Sequence, residues 1–299
     1  MEPLVSVVIP TYNRDGRFLK RAIDSVAAQT WKNTEIVVVD DNAPDSPMRR
    51  AVEAVMAAYP QAVYVQNPKN LGGSGARNAG VARASGQYIT FLDDDDEYLP
   101  EKVGAQVRFM IEGGYDMSFE DSRSYYEATG RMVHFRSHGY LTSTDNDALL
   151  RAHLTRHLTP TNVYMYKKSA FAQIGGFEDA PMGQEFFLML RSIESGMKIG
   201  YLRRADVKQH LHAQGRISQG GNKIKGEEAL YAFKSRYFDR LRKEDVRYIT
   251  FRHHVVMGVA YKRNRQMGRM ALSMIKAICA SPLDAAREGA GFLKNLGGE

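Results

Sequence analysis

Short apolar runs alternate with segments of helical periodicity through the first hundred residues. The apolar runs cover 5–9, 34–39, 62–65 and 87–92. The helical segments cover 18–29, 47–59 and 75–84. A strand–helix order repeated in this way predicts an α/β fold with a mostly parallel sheet and right-handed crossovers. The carboxyl ends of such strands share one edge, which is where open α/β sheets bind their ligands.

Four consecutive aspartates, Asp93–Asp96, follow the last of these apolar runs. Clustering like charges at a strand end is energetically unfavourable unless a nearby cation offsets their repulsion. Divalent Mg²⁺ or Mn²⁺ prefers carboxylate oxygens and commonly bridges a protein to a phosphate substrate. Capping of the next helix is the alternative, because acidic residues favour a first helical turn. Asp96 and Glu97 fit that second interpretation, so the aspartates alone leave both open.

Two further motifs follow predicted strands. Asp40-Asp41-Asn42 ends the second strand, where a carboxylate is suited to a base N–H or a ribose hydroxyl, although Asx turns use the same residues. The segment 70–80 is rich in glycine and opens a helix, which suits close approach to an anion. It lacks the Gly-Lys-Ser/Thr of a P-loop, and Asn78 stands where a dinucleotide fingerprint needs glycine or alanine.

Later in the chain, Gly175-Gly176-Phe177 precedes a strongly apolar helix that begins near Gln184-Glu185. A partly desolvated Glu185 is suited to general-base catalysis, and helix capping is the simpler alternative. His210 and His212 stand two residues apart on an extended segment, so both point the same way and either could complete a mixed metal site.

In their order and spacing these motifs resemble the family 2 glycosyltransferases of the GT-A fold, which are inverting enzymes with nucleotide-sugar donors. The resemblance covers roughly residues 4–220. Five segments match the motifs of that family: the opening strand and loop 5–14, Val38-Val39-Asp40-Asp41, the stretch 70–80, the Asp-x-Asp element within 88–100, and 175–185.

The resemblance implies a role for each matching residue. The donor is expected to be a UDP-sugar. The residues that the resemblance implies as binding its nucleotide are Pro10, Thr11, Tyr12, Arg14, Asp40, Arg77 and Asp94. The resemblance implies Asp95 and His212 as ligands of Mn²⁺ or Mg²⁺. His212 stands four residues before Arg216, and His210 is close enough in sequence to be the metal ligand instead. Glu185 takes the position of the catalytic base. The family pattern usually has aspartate there, so the Gln184-Glu185 pair departs from it by one methylene.

The implied reaction is inverting transfer of a sugar to a hydroxyl of a saccharide or a lipid-linked saccharide acceptor in surface polysaccharide biosynthesis. Two rivals remain. A sugar nucleotidyltransferase also uses a βαβ sheet and carboxylates, but it needs a glycine- and lysine-rich loop, and Pro10-Thr11-Tyr12-Asn13-Arg14 is not one. A non-catalytic carbohydrate-binding relic of the fold is disfavoured by the intact acidic cluster.

Beyond residue 100 the predicted elements are shorter. Strands are predicted at 117–120 and 132–135, around a turn at 129–131, and at 162–166 and 198–202. Helices are predicted at 146–157, at 184–195 and from about 227 onward. The prediction is a GT-A domain over 1–225, with a nucleotide-binding half at about 1–100 and an acceptor half at about 101–225, followed by a basic helical extension over 226–299.

Charge supports that division. Residues 234–299 hold 14 Lys and Arg against 6 Asp and Glu, whereas the first 233 hold 27 basic and 28 acidic residues. A basic region suits nucleic acid, an anionic membrane surface or plain solvation. Because aromatic-rich recognition motifs are lacking, no nucleic-acid partner is expected, and peripheral membrane contact stays open beside solvation.

Met267, Met270, Ala271, Met274 and Ile278 fall on one predicted helical face. Packing within the domain is favoured over contact with a membrane or another subunit. The single cysteine, Cys279, fits a reducing compartment. Without a signal-peptide pattern or an apolar span, a cytoplasmic location is expected, with the inner face of the membrane as an alternative. The sequence does not indicate an oligomeric state.

Overall fold

The computed structural model describes residues 2–158, 160–179, 183–212 and 221–288, the first three of the last range by backbone alone. The chain divides into two compact units. The first unit comprises Met1–Leu150 and Leu158–Ala213. The second comprises Arg151–His157 and Gln214–Glu299.

Seven strands of the first unit form one sheet. They are β1 (Val5–Thr11), β2 (Thr34–Asp40), β3 (Val63–Gln66), β4 (Tyr88–Phe91), β6 (Met117–Glu120), β9 (Met165–Lys167) and β10 (Ile199–Leu202). Their order is β10-β6-β9-β4-β1-β2-β3. All neighbours pair in parallel except β9, which is antiparallel to β4 and β6. The predicted α/β fold with a mostly parallel sheet is confirmed.

Helices connect these strands. They are α1 (Gly16–Ala27), α2 (Pro47–Met56), α3 (Gly72–Arg83), α4 (Lys102–Gly113), α5 (Asn146–Arg156), α6 (Lys168–Gln173) and α7 (Gln184–Glu194). Polar caps fix two of the starts, because Asp15 accepts a hydrogen bond from the Arg17 N–H and Ser46 accepts one from the Met48 N–H. Leu19, Ile23 and Val26 of α1 are buried, as their spacing predicts.

A second sheet of four short strands was only partly predicted. The strands are β5 (Glu97–Tyr98), β7 (Ser122–Tyr126), β8 (Met132–Arg136) and β11 (Val207–Leu211), in the order β5-β11-β7-β8. The prediction placed 117–120 and 132–135 as partners around one turn, and this is wrong. Strand β8 pairs with β7, while β6 belongs to the large sheet. The predicted strand at 162–166 is a 3₁₀ turn, Thr161–Val163, followed by β9.

Helix α3 lies very close to the large sheet because it carries a glycine at the contact. A Cβ atom on Gly80 would lie 2.4 Å from Val8 Cγ1 and 2.8 Å from Val39 Cγ2. Val8 and Val39 belong to β1 and β2, so the absent side chain lets the helix approach both strands. This contact sets the depth at which the glycine-rich start of α3 stands over the sheet edge.

The second unit is helical where it is described. After the short α5 segment it contains α8 (Gly221–Lys234), a 3₁₀ turn (Ser235–Arg240), α9 (Lys243–Arg263) and α10 (Met267–Ala280). Ser273 and Ala277 of α10 are buried, and the Met274 methyl lies against Gly258 of α9. In the described part of the chain, no helix combines the length and the apolar character that crossing a membrane requires.

Candidate active site

The carboxyl ends of three neighbouring strands bring the predicted motifs together. Thr11 of β1 pairs in register with Asp40 of β2, and Val8 pairs with Phe91 of β4. The segments that follow these strands therefore meet at one edge of the sheet. Asp94 is held there from β1, since its carboxylate accepts a hydrogen bond from the Thr11 hydroxyl at 2.7 Å.

Asp94 is almost completely buried and pairs with a cation. The Arg14 guanidinium donates from Nε to Asp94 Oδ1 at 3.2 Å. Burial raises the pKa of Asp94 to about 7, against the lowering effects of Arg14 and of the Thr11 hydrogen bond. Arg14 follows β1 directly, so the acidic segment and the first loop form one charged cluster.

Asp95 stands beside the same arginine and beside a histidine. Arg14 Nη2 lies 3.0 Å from Asp95 Oδ2, and His212 Nε2 lies 3.1 Å from that same oxygen. Burial and the neighbouring Asp93 carboxylate raise the pKa of Asp95, while Arg14 and His212 oppose the rise. Arg21 Nη2 donates to the Asp95 carbonyl oxygen at 2.7 Å and so fixes the backbone that carries the carboxylate.

The two histidines have different partners. His210 Nε2 lies 2.7 Å from Glu97 Oε1, and its Nδ1 lies 2.8 Å from Glu127 Oε2. His212 makes the contact with Asp95 instead. Of the two histidines, His212 is therefore the one that stands beside Asp95, the aspartate predicted to hold a metal. Arg216, which also entered the motif, lies outside the described residues.

Asp96 does not cap the following helix, and that interpretation is wrong. It is buried, and it accepts hydrogen bonds from Asn162 Nδ2 and from the His210 backbone N–H. Helix α4 begins after Glu101 without a side-chain cap. Burial raises the pKa of Asp96 well above its ordinary range. Asp96 thus has a structural role, because its side chain links β11 to the segment that follows β4.

Arg77 joins α3 to two other parts of the site. Its Nη2 donates to Asp93 Oδ1 at 2.5 Å, and its Nη1 lies 3.4 Å from Gln184 Oε1. Its guanidinium also lies over the Phe177 ring, 5.6 Å from the centroid. Arg77 therefore stands between the acidic segment and the start of α7.

Asn78 fixes the turn that precedes α7. Its side chain donates to the Phe177 carbonyl oxygen at 2.7 Å and accepts from the Phe177 N–H at 2.9 Å. Gly176 has a positive φ of 67°, and a Cβ atom there would lie 2.6 Å from Asn78 Oδ1. Ser74 adds a hydrogen bond to the Glu178 carbonyl oxygen at 2.7 Å. These bonds attach α3 to residues 176–178.

Asp40, predicted to contact the base, is fully buried with its oxygens engaged inside the protein. Oδ1 accepts from the Asn42 backbone N–H and side-chain amide, and Oδ2 accepts from the Tyr64 hydroxyl at 2.7 Å. Asp41 accepts hydrogen bonds from the backbone N–H groups of Leu71 and Gly72. In this structure, therefore, both carboxylates order the loops at the sheet edge.

Pro10 and Tyr12 flank Thr11 at the end of β1. Pro10 pairs in register with Val39, and the Tyr12 side chain is 56% exposed. The Asn13 N–H donates to Asn42 Oδ1 at 2.8 Å, which links this loop to the one after β2. Tyr12 is thus presented to solvent from a loop that is fixed at both ends.

Glu185 lies in the first turn of α7. Gly183 precedes this helix with a φ of 80°, a left-handed conformation that favours glycine. The Glu185 side chain is partly exposed and has no hydrogen-bond or ion-pair partner among the described residues. Burial raises the pKa of Tyr164, and the charges of Tyr166 and Glu185 add to that rise. Gln184, not Glu185, makes the link to Arg77.

Two residues of the site were missed. Arg21 Nη1 lies 2.8 Å from Glu127 Oε1, so this pair joins α1 to the β7–β8 turn beside His210. Arg14, Arg17 and Arg21 stand at helical spacing around Phe18, and this basic stripe could have indicated Arg21. Nothing in the sequence marks Glu127, which reaches the site through the pairing of β7 with β11.

The residues present suit a divalent cation held jointly with a phosphate ligand. The Asp95 carboxylate oxygen and the His212 imidazole nitrogen are donors that Mn²⁺ accepts. In the part of the chain that the structure describes, no group of three or more His, Cys, Asp or Glu residues forms a metal site. The protein would thus supply few ligands, and the remainder would come from substrate oxygens and water.

The family described as Glycosyl transferase family 2 matches residues 6–175. An uncharacterized glycosyltransferase of Rickettsia bellii is 28% identical over 255 residues, covering 82% of this chain and 34% of that protein. The chain thus spans about a third of that relative's length. An uncharacterized glycosyltransferase of Methanocaldococcus jannaschii is 28% identical over 216 residues, covering 70% of this chain and 71% of its own.

Two solved structures share the fold. Staphylococcus aureus TarS 1–349 in complex with UDP-GlcNAc has a TM-score of 0.62 and 16% identity, covering 96% of this chain and 92% of its own. The mannosyltransferase PcManGT from Pyrobaculum calidifontis, in complex with GDP-Man and Mn²⁺, has a TM-score of 0.58 and 17% identity, covering 98% of this chain and 80% of its own.

Proposed function

Because the chain belongs to glycosyl transferase family 2, we propose that it transfers a sugar with inversion from a nucleotide-diphosphate sugar to a hydroxyl acceptor. One observation carries the proposal. Thr11 and Arg14 after β1 meet Asp94 and Asp95 after β4 at the carboxyl edge of the sheet, within the region that matches the family. An edge with charged, buried groups from several strands suits a diphosphate ligand.

We propose a UDP-sugar as the donor. The TarS complexes contain UDP-GlcNAc or UDP, and the mannosyltransferase complex contains GDP-Man. On this proposal Pro10, Thr11 and Tyr12 line the nucleotide pocket, while Arg14, Arg77 and Asp94 hold its ribose and diphosphate. Asp40 would contact the base only after giving up part of its hydrogen bonding to Asn42 or Tyr64.

Asp95 and His212 would hold Mn²⁺ or Mg²⁺ at the diphosphate. A bound divalent cation neutralises negative charge on a leaving diphosphate. The contacts of Arg14 with both Asp94 and Asp95 support this arrangement, because a single guanidinium offsets only part of the charge of two carboxylates and leaves them suited to a further cation. Arg14 and Arg77 would supply the guanidinium groups that donate to the phosphate oxygens of the donor.

Glu185 would act as the base. Its carboxylate takes the proton of the acceptor hydroxyl while that oxygen forms a bond to the anomeric carbon. The bond from this carbon to the diphosphate oxygen breaks, and its electron pair leaves with the nucleoside diphosphate. Attack opposite the leaving group inverts the configuration, so a UDP-α-sugar gives a β-linkage. A side chain with no partner among the described residues is available for this proton transfer.

A screen of UDP- and GDP-sugars for release of free nucleoside diphosphate tests the proposal. The wild-type chain should cleave at least one donor, more rapidly with Mn²⁺ than with chelator. Glu185→Gln should bind that donor with unchanged affinity and lose transfer by about a hundredfold or more. Glu194→Gln, at the other end of α7, is the control and should keep its activity. Near-wild-type turnover of Glu185→Gln would show that another group is the base.

For the acceptor we propose a saccharide or a lipid-linked saccharide of a surface polysaccharide. A lipid-linked acceptor would bring a cytoplasmic protein to the inner face of the membrane, so peripheral contact through the basic C-terminal helices belongs to the proposal. Transfer of radiolabelled sugar into a chloroform-soluble or a water-soluble product distinguishes the two acceptor classes.

A further inference from the structure

Helix α10 packs on α9 through one narrow side. Ser273 is 7% exposed and Ala277 is 2% exposed, while Met270 and Met274 are half-buried. Small residues at the contact let the two helices approach closely. The predicted methionine stripe is therefore only partly buried, because the Met274 methyl lies against Gly258 of α9 and Met270 is half-buried, whereas Met267 is 54% exposed.

The outer side of α10 is apolar as well. Leu272 is 52% exposed, Ile275 is 58% exposed and Ile278 is 54% exposed. Leu272, Ile275 and Cys279 stand at i, i+3 and i+7, so they share one face, and Cys279 is exposed too. We call Leu272, Ile275, Ile278 and Cys279 the outer face. Soluble monomers rarely leave such a contiguous patch bare without a partner for it.

Cations border the outer face on one edge. Arg269 and Lys276 are seven residues apart and both are exposed, so they lie on the same side of the helix next to Leu272. Residues 262–287 contain six Lys and Arg and a single acidic residue, Asp284. Asp284 accepts a hydrogen bond from the Ser281 hydroxyl. None of the six cations forms an ion pair within the described residues.

We propose that the outer face of α10, with the edge formed by Arg269 and Lys276, docks on an anionic lipid bilayer. An apolar helical face bordered by Lys and Arg is the pattern of helices that lie in the membrane interface. A second copy of the chain would bring this cationic edge against another cationic surface, which disfavours self-association. Docking of this face on anionic lipid would supply the membrane contact proposed above, and it does not depend on the donor chemistry.

Vesicle flotation tests the inference with the full chain. Wild-type protein should float with vesicles of phosphatidylcholine and phosphatidylglycerol, and about tenfold less with phosphatidylcholine alone. Added NaCl should weaken the binding, because salt screens the attraction. The double variant Leu272→Ser, Ile275→Ser should bind about tenfold more weakly. Arg269→Glu, Lys276→Glu should bind weakly to both vesicle types.

Two control variants distinguish binding through this surface from nonspecific adsorption to vesicles. Ile111→Ser removes an apolar side chain that is 47% exposed on α4, and Arg50→Glu removes an exposed cation on α2. Both should float like the wild-type protein. Because none of the variants touches the proposed catalytic residues, nucleoside diphosphate release should be unchanged. Failure of the donor assay would therefore count against the proposed function without affecting the flotation result.

Cys279 provides a second readout, since it is the only cysteine of the chain and lies on the outer face. An environment-sensitive fluorophore on Cys279 should shift to the blue with anionic vesicles and not with neutral ones. Equal binding to both vesicle types, or no binding, would overturn the inference. So would a wild-type dimer in analytical ultracentrifugation that Leu272→Ser, Ile275→Ser dissociates, because a second copy would then cover the face.

Discussion

At the scale of single residues, the candidate site is a balance of carboxylates and cations. The sequence predicted Asp94 and Asp95 at the strand end, because an acidic run after an apolar strand is a local pattern. It did not predict that Arg21 would support Asp95, since that contact joins residues 74 positions apart. Local patterns locate a motif, and long-range pairing decides which neighbours complete it.

Arg21→Gln should weaken Mn²⁺ binding about tenfold, because Arg21 fixes the Asp95 backbone and pairs with Glu127 beside His210. Titration calorimetry with MnCl₂ and a donor nucleotide measures the effect without relying on turnover. Arg17→Gln is the control on the same helix, as Arg17 is 74% exposed and pairs with Asp15. If both variants bind Mn²⁺ like the wild-type protein, Arg21 has no positioning role.

At the scale of elements, the sequence predicted the first four strands and three helices to within a few residues. Each of them has a periodic apolar pattern of its own. The sequence missed β7, and it recognised the region of β11 only as an extended segment. These strands are short, and β11 pairs with Arg123–Tyr126 of β7 from more than 80 positions away. Their existence depends on partners that no local pattern identifies.

Gly80→Ala should lower the free energy of unfolding by about 2 kcal/mol, because the new Cβ would overlap Val8 and Val39. The higher helix propensity of alanine works in the opposite direction and is smaller, about 1 kcal/mol. Urea unfolding measures the difference. Gly104→Ala is the control, since the nearest atoms there belong to the flexible end of Arg108, and it should be neutral or slightly stabilising.

Elements α4 and β6 bring a buried Lys102 and Glu120 into electrostatic contact. Burial raises the pKa of Glu120 to about 8 from 4.5 and lowers the pKa of Lys102 to about 7 from 10.5. Between pH 5 and 7 native Glu120 keeps a proton that the unfolded chain has lost, so its contribution to stability falls as the pH rises. Lys102 acts in the opposite direction. Above about pH 7 native Lys102 has lost a proton that the unfolded chain keeps, so its contribution to stability rises with pH.

Glu120→Gln should therefore gain stability relative to the wild-type protein by roughly 1 kcal/mol per pH unit from pH 5 to 7. Urea unfolding at several pH values measures this slope. Glu112→Gln, at an exposed position of α4, should follow the wild-type profile. A constant difference between Glu120→Gln and wild type would mean that Glu120 is ionised throughout that range.

At the scale of the whole molecule, the uneven charge of the sequence indicated two bodies. The compact units divide the chain at 213/214 and also assign Arg151–His157 to the second unit. The prediction of a catalytic domain over 1–225 remains a prediction. A segment that belongs with residues far along the chain cannot be found from composition, because its affiliation depends on contacts and not on its own character.

Within the second unit, Asp245 should anchor this segment to α9. Arg151 Nε lies 2.5 Å from Asp245 Oδ2, and Asp245 also stands in the first turn of the helix, where negative charge is favourable. Asp245→Asn should lower the free energy of unfolding by about 1 kcal/mol in urea titrations, given the partly exposed arginine. Glu288→Gln, from the surface pair with Arg252, should change it less.

The attachment of α3 to residues 176–178 has a consequence for divergence and for engineering. Asn78 and Ser74 hold the far end of a segment of nearly a hundred residues next to the glycine-rich start of α3. Surface loops inside that segment can change in length or composition while the start of α7 keeps its distance from the sheet edge. The turns on either side of β8, at 128–131 and 139–145, are thus natural places to exchange sequence between relatives without moving the start of α7.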